Sequence, residues 1–166
     1  MSTLGLLGQH IQQWLERRRM SLSLRNMEQV IAEIRELNFE EARRRALPLL
    51  EDISKFKCVK GSSDQHLPYQ LSGSLQQFFS TYESVETLAG EARLSRNLVG
   101  PSEYQIGFLR IGTDFDFTEI AVRPSEDSIY QIDGSEISDK DFTTSQFPSI
   151  YHWVLATVEV LYSVNE

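Results

Sequence analysis

Apolar residues recur at helical spacing through the first third of the chain and at strand spacing through the middle, and they return to helical spacing at the end. Leu7, Ile11, Trp14 and Leu15 fall on one helical face, and Met27, Val30, Ile31, Ile34 and Leu37 fall on another. Asn38 ahead of Phe39-Glu40-Glu41 is a helix-start signal, and the order Glu40/Arg44 and Glu41/Arg45 suits i,i+4 pairing. Pro48 predicts a break or kink near Leu47, because its ring clashes with the preceding turn and it has no N–H to donate. A further helical turn is expected through Leu50, Ile53 and Phe56, followed by a linker over Lys60 to Gln65, where Gly61, Ser62, Ser63 and Asp64 gather.

From Leu67 the pattern changes. An amphipathic helix entered after Pro68 carries Leu71, Leu75, Phe78, Phe79 and Tyr82. Strands are expected at 87–95 and 105–111, at 117–123 with Ile120 and Val122 opposite Glu119 and Arg123, and at 128–133 with Tyr130 and Ile132 on one face. Turn residues fill 112–116, 124–127 and Asp133-Gly134. Links this short make consecutive strands antiparallel neighbours, since a parallel crossover needs about a dozen residues. The chain closes on a helix after Pro148, with Ile150, Val154, Val158 and Leu161 on one face. The expected fold is α+β, an antiparallel sheet of about four or more strands flanked by helices. A helical segment, residues 1–60, precedes an α+β part, residues 61–166, the two forming one structural unit.

Composition narrows the function. The one cysteine, Cys58, rules out an intrachain disulfide and suits a reducing compartment. No basic-then-apolar leader opens the sequence. Residues 150–164 fall short of the roughly 20 apolar residues that span a bilayer, so a cytoplasmic location is expected. Residues 1–60 hold 11 Lys/Arg against 8 Asp/Glu, a balance of +3, and residues 61–166 hold 5 against 16, a balance of −11; together these give the net charge of −8. An acidic C-terminal part repels nucleic acid and anionic membrane and attracts a basic protein or a cation. The arginine triplets at 17–19 and 43–45 are interspersed with glutamates and read as solvated helix faces.

Catalytic signals are sparse. Asp114 and Asp116 form a DxD that in other settings holds a divalent cation, but in a turn its aspartates more simply accept backbone hydrogen bonds. His10, His66 and His152 lie at no metal-ligand spacing, and His152 reads as structural. Lys57 and Lys60 are too weak an environment to activate Cys58. No phosphate-binding loop or nucleophile elbow occurs, so no cofactor or metal is expected.

The order of features from Leu67 carries a resemblance. Leu67-Pro68 leads into the Leu75/Phe78-Phe79/Tyr82 helix, Phe108-Leu109-Arg110-Ile111-Gly112-Thr113-Asp114 follows, and after the 119–122 strand comes Ile129-Tyr130-Gln131-Ile132-Asp133-Gly134. Over residues 67–162 this resembles the SUKH superfamily, which includes fungal cell-wall regulators of the Smi/Knr type and many bacterial immunity proteins. The chain departs from that pattern at Glu83-Ser84-Val85-Glu86, where members often carry glycines, and at Phe115-Asp116. The resemblance implies a non-catalytic module that neutralises a bacterial toxin, such as a nuclease or deaminase, by docking on it. The acidic charge suits such a partner, whose phosphate-binding cleft is basic. The carboxylates expected at the interface are Asp114, Asp116, Glu119, Glu126, Asp127 and Asp133. A regulatory or scaffolding protein of the same fold is the alternative, and an enzyme using Asp114 and Asp116 comes third.

Overall fold

The computed structural model describes residues 26–61, 67–114, 118–134 and 146–162. Residues 26–36 are helical (α1), followed by α2 (Phe39–Leu50) and β1 (Phe56–Lys60). After α3 (Gly73–Thr81) come β2 (Tyr82–Thr87), β3 (Ala92–Ser95), a 3₁₀ turn (Arg96–Leu98) and β4 (Gly100–Pro101). Then follow β5 (Leu109–Asp114), β6 (Thr118–Val122), β7 (Tyr130–Asp133) and α4 (Ile150–Tyr162). The expected α+β fold is observed. The sheet has seven strands in the order β1-β2-β3-β5-β6-β7, with β4 beside the start of β5, and every pairing is antiparallel.

Local chemistry explains most of the boundaries. The Asn38 side chain accepts from the Glu41 N–H at 2.9 Å and opens α2 as its N-cap, and the Ser72 side chain accepts from Leu75 N at 3.2 Å and starts α3. Glu41 holds both Arg44, at 2.6 Å, and Arg45, at 2.8 Å, in place of the expected Glu40/Arg44 pair. Pro48 does not break α2. It stands in the last turn, where the missing N–H forfeits one bond, and continuing to Leu50 buries Ala42, Ala46 and Leu50 in the core.

The turn expected at 50–56 gives way to an edge strand, because Phe56 and Cys58 point into the core and pair in register with Thr87 and Val85. The strand expected at 87–95 is a hairpin instead: β2 ends at Thr87, β3 begins at Ala92, and the Thr87 hydroxyl accepts from Ala92 N at 3.1 Å. The strand expected at 105–111 begins only at Leu109, and Ile106 stands 97 % exposed on a loop. Gly112, expected in a turn, lies within β5. A Cβ there would stand 2.3 Å from the Arg93 carbonyl oxygen, so only glycine lets β3 approach β5.

The sheet carries different covers on its two faces. One face packs on the helices through a single core in which Ile34, Ala46 and Leu50 join Phe78, Leu94, Ile120 and Trp153. Residues 26–60 therefore share their core with the rest of the chain. On the opposite face, Phe108, Ala121, Tyr130 and Ile132 form a smaller cluster with Tyr104 packed against it. Tyr104 fits because residue 134 is glycine, where any Cβ would run into its ring. Phe78, Phe79, Ile120, Val122, Tyr130, Ile132 and Val154, all apolar positions of the expected elements, are buried, and Val158 is partly buried and packs against the main cluster. The helix expected around Leu7–Leu15 lies outside the described residues.

Phe78 anchors α3, with ring centroids 5.4 Å from Phe79, 5.3 Å from Tyr82 and 6.2 Å from Tyr151. Phe78→Ala should lower unfolding free energy by about 3–5 kcal/mol. Urea denaturation checks this, and an unchanged midpoint would mean that α3 does not bear on the core.

Candidate functional site

A half-open cleft of about 230 Å³ lies between α1, α4 and the helix-covered face of the sheet. Its walls are Ile31 from α1, Phe147, and Trp153, Ala156 and Val160 from α4; Ala92, Asp114 and Gln131 come from the strands. Strand register brings the polar pair together. Gly112 pairs with Ile120 and Ile120 with Gln131, so with period-2 alternation Asp114 and Gln131 lie on the same face as core residue Ile120. Asp114 is 8 % exposed, and its Oδ2 accepts from Gln131 Nε2 at 2.8 Å. Burial pushes its carboxyl up to about 6, an effect that the Gln131 bond partly offsets.

Arg35 also lines the cleft, but its charge is directed elsewhere. Its Nε donates to the Gln146 carbonyl at 2.8 Å, and its guanidinium lies over the Phe147 ring at 5.1 Å. No ion pair joins Arg35 to Asp114.

The six expected interface carboxylates do not form one patch. Glu119 is 3 % exposed on the opposite face of the sheet, where it accepts from Ser102 Oγ at 3.0 Å and Glu103 N at 2.9 Å. Ser102 Oγ in turn accepts from Tyr104 N and Gln105 N, both at 3.1 Å. Glu119 thus pins the loop that lays Tyr104 and Phe108 over the second cluster. Asp114 was expected in the 112–116 turn and Glu119 on the outer side of the 117–123 strand, both at the interface. Both are buried: Asp114 because β5 continues to it instead of ending at 111, and Glu119 because the Ser102–Glu103 loop folds over it.

Glu126 and Asp127 are exposed on the turn after β6. That turn is fixed: Glu126 N donates to the Arg123 carbonyl at 3.1 Å, Ser125 N donates to Gln70 O at 2.8 Å with Ser125 at φ 65, and the Ser74 hydroxyl donates to Asp127. Asp133 is exposed at the far end of β7, and Asp116 lies outside the described residues.

His152 and Cys58 are engaged in the fold, and His10 and His66 lie outside the described residues. His152 is 1 % exposed, with Nε2 2.7 Å from the Leu37 carbonyl and Nδ1 2.6 Å from Ser149 Oγ. A carbonyl only accepts, so Nε2 carries the proton and Nδ1 accepts from the serine. His152 thereby ties α4 to the junction of α1 and α2. Cys58 donates to the Leu50 carbonyl at 3.1 Å, and burial pushes its thiol up to about 11, away from the reactive range. Among the described residues no group of three or more His, Cys, Asp or Glu is placed to hold a metal ion, and no helix is long and apolar enough to cross a membrane. Compared with known proteins, the chain matches no family model and no curated sequence.

Gln131, Arg35 and Trp153 escaped the sequence reading as site residues. Nothing in their spacing marks them, because their meeting depends on strand register and on helices far apart in sequence.

Asp114 yields a pH test. Its folded-state pKa is raised, so its contribution to stability is full below the unfolded carboxyl value near 3.8 and is lost as pH rises through about 6. Asp114→Asn keeps an acceptor for Gln131 and removes the charge. Wild-type melting temperature should fall from pH 4 to pH 7 relative to the variant, and the variant should be the more stable at neutral pH. Parallel melting curves across that range would refute the assignment.

Proposed function

We propose that this chain is a non-catalytic protein-binding module that docks on a basic partner, as an immunity protein does on a toxin that handles nucleic acid. The observation that carries the reading is how the titratable residues are used. His152, Cys58 and Glu119 hold elements of the fold together, whereas Glu126, Asp127 and Asp133 stand at the surface of a part whose formal balance is −11. An acidic surface is complementary to a phosphate-binding cleft, and complementary potentials speed encounter more than they tighten the final complex. The resemblance of residues 67–162 to the SUKH superfamily supports the same reading, and the fixed turn at 124–127 supports it further. A turn held by the Gln70 carbonyl and the Ser74 hydroxyl presents its carboxylates with little ordering cost on binding.

The tagged chain should retain, from its native host, a protein whose toxicity is abolished when the chain is co-expressed. A retained partner that is harmless when expressed alone would instead favour the regulatory or scaffolding role. With the partner in hand, the triple variant Glu126→Gln, Asp127→Asn, Asp133→Asn, checked to be folded by its circular dichroism, should bind with a lower on-rate and a flatter salt dependence. Glu40→Gln should change neither. Screening over about 8 Å at physiological salt confines the effect to charges near the interface. Equal salt slopes in wild type and triple variant would remove these carboxylates from the docking surface.

A further inference from the structure

We infer that the cleft beside Asp114 is a socket for one cationic side chain of a partner protein, an arginine or a lysine; the inference rests on the binding-module reading and names the anchor through which it takes hold. The argument is charge complementarity in a confined apolar space. Asp114 retains 8 % exposure, and among the described residues its side chain's one hydrogen bond is to a neutral amide. A buried carboxylate is costly unless a cation meets it, and no cation of the chain's described residues does so. The remaining walls, Ile31, Phe147, Trp153, Ala156 and Val160, suit a stem of methylenes.

Size and the placement of Arg35 agree with a side chain as the occupant. The volume, about 230 Å³, lies below the roughly 300–1,000 Å³ of sites that enclose a drug-sized ligand. Arg35 is exposed and stacked on Phe147 at the cleft wall. Its guanidinium retains donors beyond the Nε used on Gln146, which fit the main-chain carbonyls of a peptide whose side chain enters the cleft. A free amine or guanidine would use Asp114 and leave Arg35 idle.

The test titrates the isotopically labelled full chain with the capped peptide Gly-Gly-Arg-Gly-Gly, followed by nuclear magnetic resonance. Companion peptides carry lysine, citrulline (same shape, no charge) or norleucine (stem alone) in the central position. The arginine or lysine peptide should give saturable shifts at Asp114, Gln131 and the Trp153 indole. The citrulline and norleucine peptides should bind about thirtyfold more weakly, the effect of removing one partner from a desolvated charge pair. Asp114→Asn, which keeps the Gln131 bond, should abolish the preference for charge, and Asp127→Asn should leave it intact.

Equal binding of the norleucine peptide, or no saturable shift with any cationic peptide, would overturn the socket. Ethylguanidinium alone binding as well as the peptide would reassign the site to a free small cation. That result overturns the partner assignment. Unchanged partner affinity in Asp114→Asn, beside a loss in the exposed triple variant, would sink the socket and leave the binding module standing. Charge-selective peptide binding in a chain that neutralises and retains no protein would do the reverse.

Discussion

One extra residue in β5 decides which chemistry faces which side of the sheet. Leu109 pairs with Val122 and Arg110 with Ala121, but the next pair is Gly112 with Ile120, so Ile111 is the unmatched residue of a β-bulge. Side chains alternate with period 2, and a one-residue insertion therefore reverses every position after it. Without the bulge, Thr113 would face the helices and Asp114 the opposite face. With it, Ile111 stays in the helix-side core at 0 % exposure, Gly112 makes room for β3, and Asp114 enters the cleft under α4. The second face is anchored just ahead of the bulge, where Arg110 faces away from the helices, donates to the Leu98 carbonyl at 2.9 Å and pairs with Glu103 at 3.2 Å. The loop that covers the second cluster is thereby tied down from both β5 and β6.

The helix side is held by a different kind of contact. The carbonyl of Leu37, the residue just past the end of α1, receives its hydrogen bond from His152, a residue 115 positions away. Helix ends leave carbonyls unsatisfied, and burying one without a donor is expensive. The bond therefore makes α1 and α2 part of the same cooperative unit as α4, and Arg35 strengthens the link through the Gln146 carbonyl. This is why the cleft is built from parts far apart in the chain: one wall comes from α1, another from α4 and the floor from the sheet.

Legibility in the sequence followed the range of the interactions. Helices α2, α3 and α4 and strands β6 and β7 were readable because caps, turn residues and periodicity lie within a few positions of what they control. Strand β1 was not, because Leu50, Ile53 and Phe56 fall at helical spacing by coincidence while Phe56 and Cys58 obey a register set by β2. Strand β2 was hidden by its composition: Glu83, Ser84 and Glu86 carry no strand preference, and Val85 alone is a strong strand former in its middle. Pairing on both sides, with β1 and with β3, overrides that weak local preference. The site was less legible than the fold. Asp114 was recognised as a residue of interest, but a bulge has no periodic signature, so its direction, its amide partner and its apolar surroundings could not be read from spacing.

Two buried carboxylates on one sheet show what distinguishes scaffold from site. Glu119 is enclosed by its own fold: a hydroxyl and a backbone N–H meet its oxygens, and the loop that supplies them is ordered in return. Charge buried in that manner is repaid locally, because each hydrogen bond to a carboxylate is of the stronger, charge-assisted kind. Asp114, the third residue of the register that the bulge reverses, has a single amide partner among the described residues and an apolar cleft. Its raised titration means that the folded state holds the charged form at a disadvantage near neutral pH. Folding alone gives no reason to keep an acid there, since an asparagine would make the same bond to Gln131 without the charge. Among the described residues no cation meets that carboxylate, so its ionised form, set in a concave site open on one side, gains from any cation that enters the cleft, which is the role proposed for the partner's side chain.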